Sequence, residues 1–163
     1  MNAADVLALS VDAPEVELQP GDHAIRVGEA HPALFVLVLG TVEIRRGDTP
    51  LATINEPGSV VGELGLLLGT PAAADVVAPD GATLRQLHDA ERLFRDVPEF
   101  GQFLATTLAR RLHRVTSLLG DLHEQFADTP GALGLVPHVM ANLVSTDRAD
   151  TDVGSDREPD APY

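Results

Sequence analysis

Cysteine, lysine and tryptophan are all absent from this sequence of 163 residues. Without cysteine there is no disulfide, no thiolate nucleophile and no cysteine-containing zinc site. Without lysine the phosphate-loop Gly-Lys pair cannot be written. A pyridoxal Schiff base and a lysine nucleophile are excluded too. Positive charge is scarce: 11 arginines face 25 acids, for a net charge of −14. That argues against neutralising nucleic-acid phosphates and against docking on anionic lipid. The N-terminus, Met1-Asn2-Ala3-Ala4-Asp5, lacks the positive charge that opens a secretory signal. The longest uncharged stretch, Thr129 to Thr146, contains Pro130, Pro137, His138 and Asn142. It is a poor membrane span, and a cytoplasmic protein is expected.

Apolar residues make up 44% of the chain, enough for a globular core. A chain of this length buries about 68–70% of its unfolded surface and needs no staple. From Glu15 to Leu87 it reads as short strands cut by glycine turns. Glu15–Leu18 alternates, and Pro20-Gly21-Asp22 turns. Ala24–Val27 precedes Gly28-Glu29. Leu34–Leu39 is a continuous apolar run, expected to be buried on both faces. Gly40 breaks it, and Thr41–Arg45 alternates again. Gly47–Pro50 is expected to turn into Leu51–Ile54, and Pro57-Gly58 into Val60-Val61. Ala74–Ala78 and Ala82–Leu87 complete a set of short strands that suggests a rolled or closed antiparallel architecture.

Helix follows. Asp89 can cap a short helix through Arg95. Asp96-Val97-Pro98-Glu99 starts a second helix, expected over about 97–126. Within it Leu108, Leu112, Val115, Leu119, Leu122 and Phe126 form a heptad seam. The seam either lies on the chain's own strands or pairs with a second copy. Arg110 and Arg111 beside it read as solvated flank charges. Thr129–Thr146 holds Leu133, Val136, Met140 and Leu143 at helical spacing, so a short helix is expected over 127–146. From Asp147 six acids face two arginines, which predicts a disordered tail over 147–163.

The segment Leu39-Gly40-Thr41-Val42-Glu43-Ile44 … Pro57-Gly58-Ser59-Val60-Val61-Gly62-Glu63-Leu64-Gly65-Leu66-Leu67 resembles the cyclic-nucleotide-binding domain family. Pro20-Gly21-Asp22 and Gly28-Glu29 match its early glycine turns. Leu108-Ala109-Arg110-Arg111-Leu112 resembles the start of its long dimerising helix. The resemblance implies an eight-stranded antiparallel β-roll with flanking helices, over residues 1–126, and a homodimer. It also implies a phosphate-binding cassette. There a short helix after a glycine presents backbone N–H groups, a Glu accepts from the ribose hydroxyl, and an Arg pairs with the cyclic phosphate.

Gly62 and Glu63 match the first two roles. The family's Pro-Arg-Ala/Ser-Ala-Thr-Val appears as Pro71-Ala72-Ala73-Ala74-Asp75-Val76, so Ala72 stands where the Arg belongs. No arginine occurs between Arg46 and Arg85, so a slipped register does not restore it. Asp75 adds a negative charge that strand alternation can turn away. A hydrogen bond to a charged group is worth roughly 1.5–3 kcal/mol, so its loss weakens binding ~10- to ~150-fold. The resemblance places Gly62, Glu63, Leu64, Ala72, Ala73 and Thr116 at a ligand pocket. Thr116 and Ser117 lie in the region of the family's base contacts; a gapless alignment puts Val115 and Thr116 there.

A winged helix-turn-helix is not expected. The 37 residues after Phe126 carry seven acids and two arginines, with no base-reading recognition helix, and direct DNA binding is not expected. Nor is catalysis. The six histidines, at 23, 31, 88, 113, 123 and 138, are scattered, which leaves no metal site and no cofactor. The leading expectation is a non-enzymatic regulatory or adaptor protein with a degenerate cassette, acting through an unidentified protein partner. The alternatives are a true cyclic-nucleotide sensor, its phosphate met by Arg26, Arg45 or Arg85, and a structural component whose acidic tail engages a basic surface.

Overall fold

Glycine and proline turns divide the first half of the chain into eight short strands. In the computed structural model, which describes residues 1–30 and 33–125, these are β1 (Glu15–Leu18), β2 (Asp22–Ile25), β3 (Leu34–Gly40), β4 (Val42–Arg46), β5 (Thr49–Ile54), β6 (Val60–Val61), β7 (Asp75–Ala78) and β8 (Ala82–Leu87). The helices are α1 (Ala3–Leu9), α2 (Glu63–Leu68), α3 (Ala90–Asp96) and α4 (Pro98–Gln125). The chain divides into two units, Met1–Ala109 and Arg110–Tyr163. The expected short helix over 127–146 and the acidic tail lie outside the described residues.

The strands pair antiparallel in two four-stranded sheets, ordered β1-β8-β3-β6 and β2-β7-β4-β5. Both sheets turn one face to a shared apolar interior. Ile25, Phe35, Leu37, Val42, Val61, Val76 and Leu84 fill it. The eight-stranded antiparallel roll with a long C-terminal helix is therefore the observed architecture.

β3 explains the continuous apolar run. Phe35 and Leu37 enter the interior, whereas Leu34 and Val36 face a second cluster with Val6, Val60, Ala90, Phe100 and Leu104. Period-two alternation thus buries both faces of the strand, one under the roll and one under α1, α3 and the start of α4. The expectation fails at the end of the run. Leu39 is 68% exposed; the β3–β8 register shifts between Leu37 and Leu39, so the alternation that buries the earlier residues does not carry through.

Two further expectations need correction. Pro50 lies within β5, and the turn is Gly47-Asp48 alone. β5 is a sheet edge, where a missing N–H costs no ladder bond. The N-terminal helix was not expected either. Asn2 Oδ1 accepts from Asp5 N at 3.1 Å and Asp5 Oδ2 accepts from Asn2 N at 2.7 Å, a reciprocal capping box. Val6 then buries completely in the second cluster. Asp89 caps α3 as expected, accepting from Arg92 N at 3.2 Å.

α1 is seated at both ends. Gly58 has φ +86°, and a Cβ there would lie 1.9 Å from the Ala3 carbonyl oxygen, so the turn before β6 touches α1 backbone to backbone. At the other end, Arg85 Nη1 donates to the Leu7 carbonyl at 3.1 Å while Nη2 pairs with Glu15 at 3.0 Å. The Arg85 side chain is only 15% exposed, so this arginine ties α1 to two strands from a shielded position. Arg85→Ala removes charge-assisted bonds and is expected to cost about 1.5–3 kcal/mol. Thermal melts should fall by about 3–12 °C. A shift under one degree would mean that α1 gains nothing from the contact.

Candidate functional site

The candidate site begins where β6 ends. Gly62 has φ 91° and ψ −2°, a left-handed conformation that favours glycine. It turns the chain from β6 straight into α2. Glu63, the first residue of α2, is buried at 3% exposure. It is held by interactions within the chain. Indeed, among the described residues no buried side-chain nitrogen or oxygen lacks a partner.

α2 runs for six residues and stops at Gly69, also left-handed, whose N–H donates to the Gly65 carbonyl. Leu66 packs into the cluster shared by α1, β3 and Phe100. Leu64, Leu67 and Leu68 are 53%, 50% and 69% exposed. Leu64, expected at a ligand pocket, therefore lies on the outer side of a helix anchored by Leu66.

The return segment fixes Ala72. Its N–H donates to the Glu29 carbonyl at 2.9 Å, and its carbonyl accepts from Gly28 N at 2.8 Å. The early glycine turn and the segment leading into β7 are thus bonded across 44 positions, since 72 minus 28 is 44. The Ala72 side chain is half-buried against the roll interior. Ala73 is exposed and Ala74 half-buried. Asp75 Oδ1 accepts from Val27 N at 3.0 Å, so its carboxylate is engaged on the same turn.

The three arginines expected as substitute cations divide clearly. Arg45 pairs with Glu43, Nη2 to Oε2 at 2.6 Å. Arg85 is committed to Glu15 and Leu7. Arg26 is exposed and has no ion pair among the described residues. It follows the inward-facing Ile25 of β2, and its turn is the one bonded to Ala72 and Asp75.

Thr116 lies in the second unit. Its Oγ1 donates to the Leu112 carbonyl at 2.9 Å, the local back-bond common for a helical threonine. Of the seam, Leu108 is half-buried against the second cluster of the first unit. In the second unit Leu112 and Val115 are each 50% exposed and Leu119 is half-buried. The Leu122 side chain and Phe126 lie outside the described residues. Leu118, off the seam, is 57% exposed. Arg110 is exposed; Arg111, expected to be solvated, is half-buried and has a partner.

A hollow of about 270 Å³ opens at the other end of the β1-β8-β3-β6 sheet, between Glu17, Pro20, Leu39, Asp80 and Thr83. It shares no residue with the cassette. Among the described residues, no group of three His, Asp or Glu side chains could hold a metal ion. No described helix is long and apolar enough to cross a membrane.

The sequence profile of the cyclic nucleotide-binding domain matches residues 15–92, the roll from β1 into α3. The roll belongs to the cyclic nucleotide-binding domain family. The CRP-like cAMP-activated global transcriptional regulator of Mycobacterium tuberculosis is 30% identical over 132 residues. That match covers 77% of this chain and 58% of the relative, so the chain spans little more than half of the curated relatives it matches. A protein from a study of a cyclic-GMP-dependent signalling pathway in bacterial phytopathogenesis is 27% identical with a TM-score of 0.60. It covers 69% of this chain and 95% of its own. The catabolite activator protein of Thermus thermophilus, 23% identical with a TM-score of 0.59 over 86% of this chain and 82% of its own, shares the fold. By name these similar proteins are regulatory or signalling proteins.

Proposed function

We propose that this chain is a non-enzymatic regulatory module of the cyclic nucleotide-binding domain family whose cassette has lost its anchor for the cyclic phosphate. One observation carries the reading. Ala72 stands where the family's arginine belongs, and two backbone hydrogen bonds to Gly28 and Glu29 hold it in register. No cation near it in sequence takes over, since residues 47–84 contain no Lys or Arg. Glu63 and Gly62 keep the cassette's turn and its buried carboxylate. The test is calorimetric titration of the full chain with cyclic AMP and cyclic GMP, which should be silent at micromolar concentration. Micromolar binding would favour the sensor reading instead, and Arg26 would then be the cation to mutate.

The module acts through protein contacts, in the cytoplasm, and does not touch DNA itself. Its proposed organisation is a domain over 1–126, a helical extension over 127–146 and an acidic tail. The first contact is a second copy. The α4 seam leaves Leu112 and Val115 half in solvent, and sustained heptad positions of this kind are covered by a partner helix. Leu112→Glu with Val115→Glu would place two carboxylates in that interface, where unpaired charge is costly. Sedimentation equilibrium should show a dimer for the wild type and a dimer weakened ~100-fold or more for the variant. A monomeric wild type at micromolar concentration would refute the dimer.

A further inference from the structure

The outer face of the β1-β8-β3-β6 sheet changes character between two adjacent rows. In one row Glu15, Arg85 and Val36 lie side by side across β1, β8 and β3. α1 meets that row: Val6 and Val36 share a buried cluster, and the Leu7 carbonyl accepts from Arg85. The next row on the same face is Glu17, Thr83 and Leu39. Here Glu17 and Leu39 are exposed. Leu39 reaches this face through the irregularity in β3. Leu37 enters the roll interior, and plain alternation would send Leu39 there too. The register shift between them sets Leu39 opposite Thr83 instead, and a bulge of this kind re-aims a side chain.

This row lines the hollow of about 270 Å³, with Pro20 and Asp80 beside it. Its turns are packed backbone to backbone. A Cβ on Gly40 would lie 2.6 Å from the Gly81 carbonyl oxygen, and one on Gly81 3.0 Å from that of Leu18. Small-molecule sites enclose their ligands in about 300–1,000 Å³, so a smaller, open hollow suits one or two side chains of a protein. Charge narrows the choice. Glu15 and Glu43 are paired with arginines, and Asp75 accepts from a backbone N–H. Glu17 and Asp80 take part in no ion pair among the described residues, and no arginine or histidine lines the hollow. Two unneutralised carboxylates beside an exposed leucine repel phosphate and anionic lipid. They match a cation carried next to an apolar group.

We propose that the Glu17–Thr83–Leu39 row, with Asp80, docks a segment of a partner protein that presents an arginine or lysine beside a large apolar side chain. The apolar side chain covers Leu39, and the cation meets the two carboxylates. This surface shares no residue with the cassette or the α4 seam, so the proposal stands apart from what the cassette binds.

Fluorescence polarisation of the full chain with four labelled, capped octapeptides tests it. Their sequences alternate arginine with leucine, arginine with serine, serine with leucine, and glutamate with leucine. The arginine–leucine peptide is expected to bind about tenfold or more tightly than each of the others. Leu39→Ser should weaken it about fivefold or more, and so should Glu17→Gln combined with Asp80→Asn. Asp48→Asn with Glu56→Gln neutralises two exposed acids outside the hollow and should leave binding unchanged. That control separates docking at the hollow from general attraction to a chain of net charge −14. The substituted side chains are all exposed, so the fold is expected to survive each change. Three results overturn the proposal: the arginine–leucine peptide binds no better than another peptide, the hollow variants bind it like the wild type, or the control variant loses as much as they do.

Discussion

Phe100→Ala is expected to destabilise the chain by about 3–5 kcal/mol, and to lower its melting temperature by about 6–20 °C. The ring is fully buried at 0% exposure and stacks obliquely on Phe94, centroids 5.6 Å apart. Its cluster joins Val6 of α1, Leu34 and Val36 of β3, Val60 of β6, Ala90 of α3 and Leu104 of α4. Leu66 of α2 packs on the same cluster. Phe100 thus belongs to a cluster that draws on all four helices and on β3 and β6. Removing it leaves a void lined by this cluster, while the Gly58–Ala3 approach and the Arg85–Leu7 bond fix α1 at two points. A domain of ordinary stability has about 5–15 kcal/mol to lose, so the variant should sit close to unfolding. Urea denaturation of wild type and variant checks it. A loss under about 1 kcal/mol would mean that this cluster is loosely packed.

Ala72→Arg is expected to work in the other direction, restoring a function at small structural cost. The substitution leaves the main chain untouched, and the main chain is what the Glu29 carbonyl and Gly28 N–H hold. Ala72 is half-buried, so the new stem can lie along the apolar interior while the guanidinium reaches out. A guanidinium against a cyclic phosphate can form two parallel charge-assisted bonds. One such bond is worth about 1.5–3 kcal/mol, so cyclic AMP or cyclic GMP should bind ~10- to ~150-fold more tightly than to the wild type. The gain should shrink as salt is added, since part of the contact is electrostatic. An unchanged affinity would mean that Ala72 is not the only defect in the cassette.

Local patterning made the roll readable. The alternation in Glu15–Leu18 and Thr41–Arg45, the unbroken run from Leu34 and the Pro-Gly turns placed strands that the structure has within two residues. Asp89 carried its own capping signal. α1 stayed hidden because its capping box uses Asn2 and Asp5, and the apolar content of Ala3–Leu9 resembles many short segments. Its identity as a helix comes from Val6 entering a cluster built by residues up to 98 positions away, since 104 minus 6 is 98. The end of β3 was misread for a similar reason. Nothing in Leu39 itself announces the register shift against β8.

The site was half legible. Gly62 and Glu63 could be placed from their motif, and the missing arginine could be seen as a missing letter. What the alanine's backbone does could not be seen, because Gly28, Glu29 and Ala72 meet only when β2 pairs with β7. The engagement of Asp75 with Val27 N comes from the same pairing. Likewise, that Arg45 and Arg85 are occupied depends on Glu43 two residues away and on Glu15 across the sheet.

The most direct measurement is a paired calorimetric titration of wild type and Ala72→Arg with cyclic AMP and cyclic GMP at low ionic strength. The account predicts a wild-type dissociation constant of about a millimolar or weaker, and a variant that binds in the micromolar range. Micromolar binding by the wild type would contradict it, because the cassette would then hold a cyclic phosphate without an arginine at position 72.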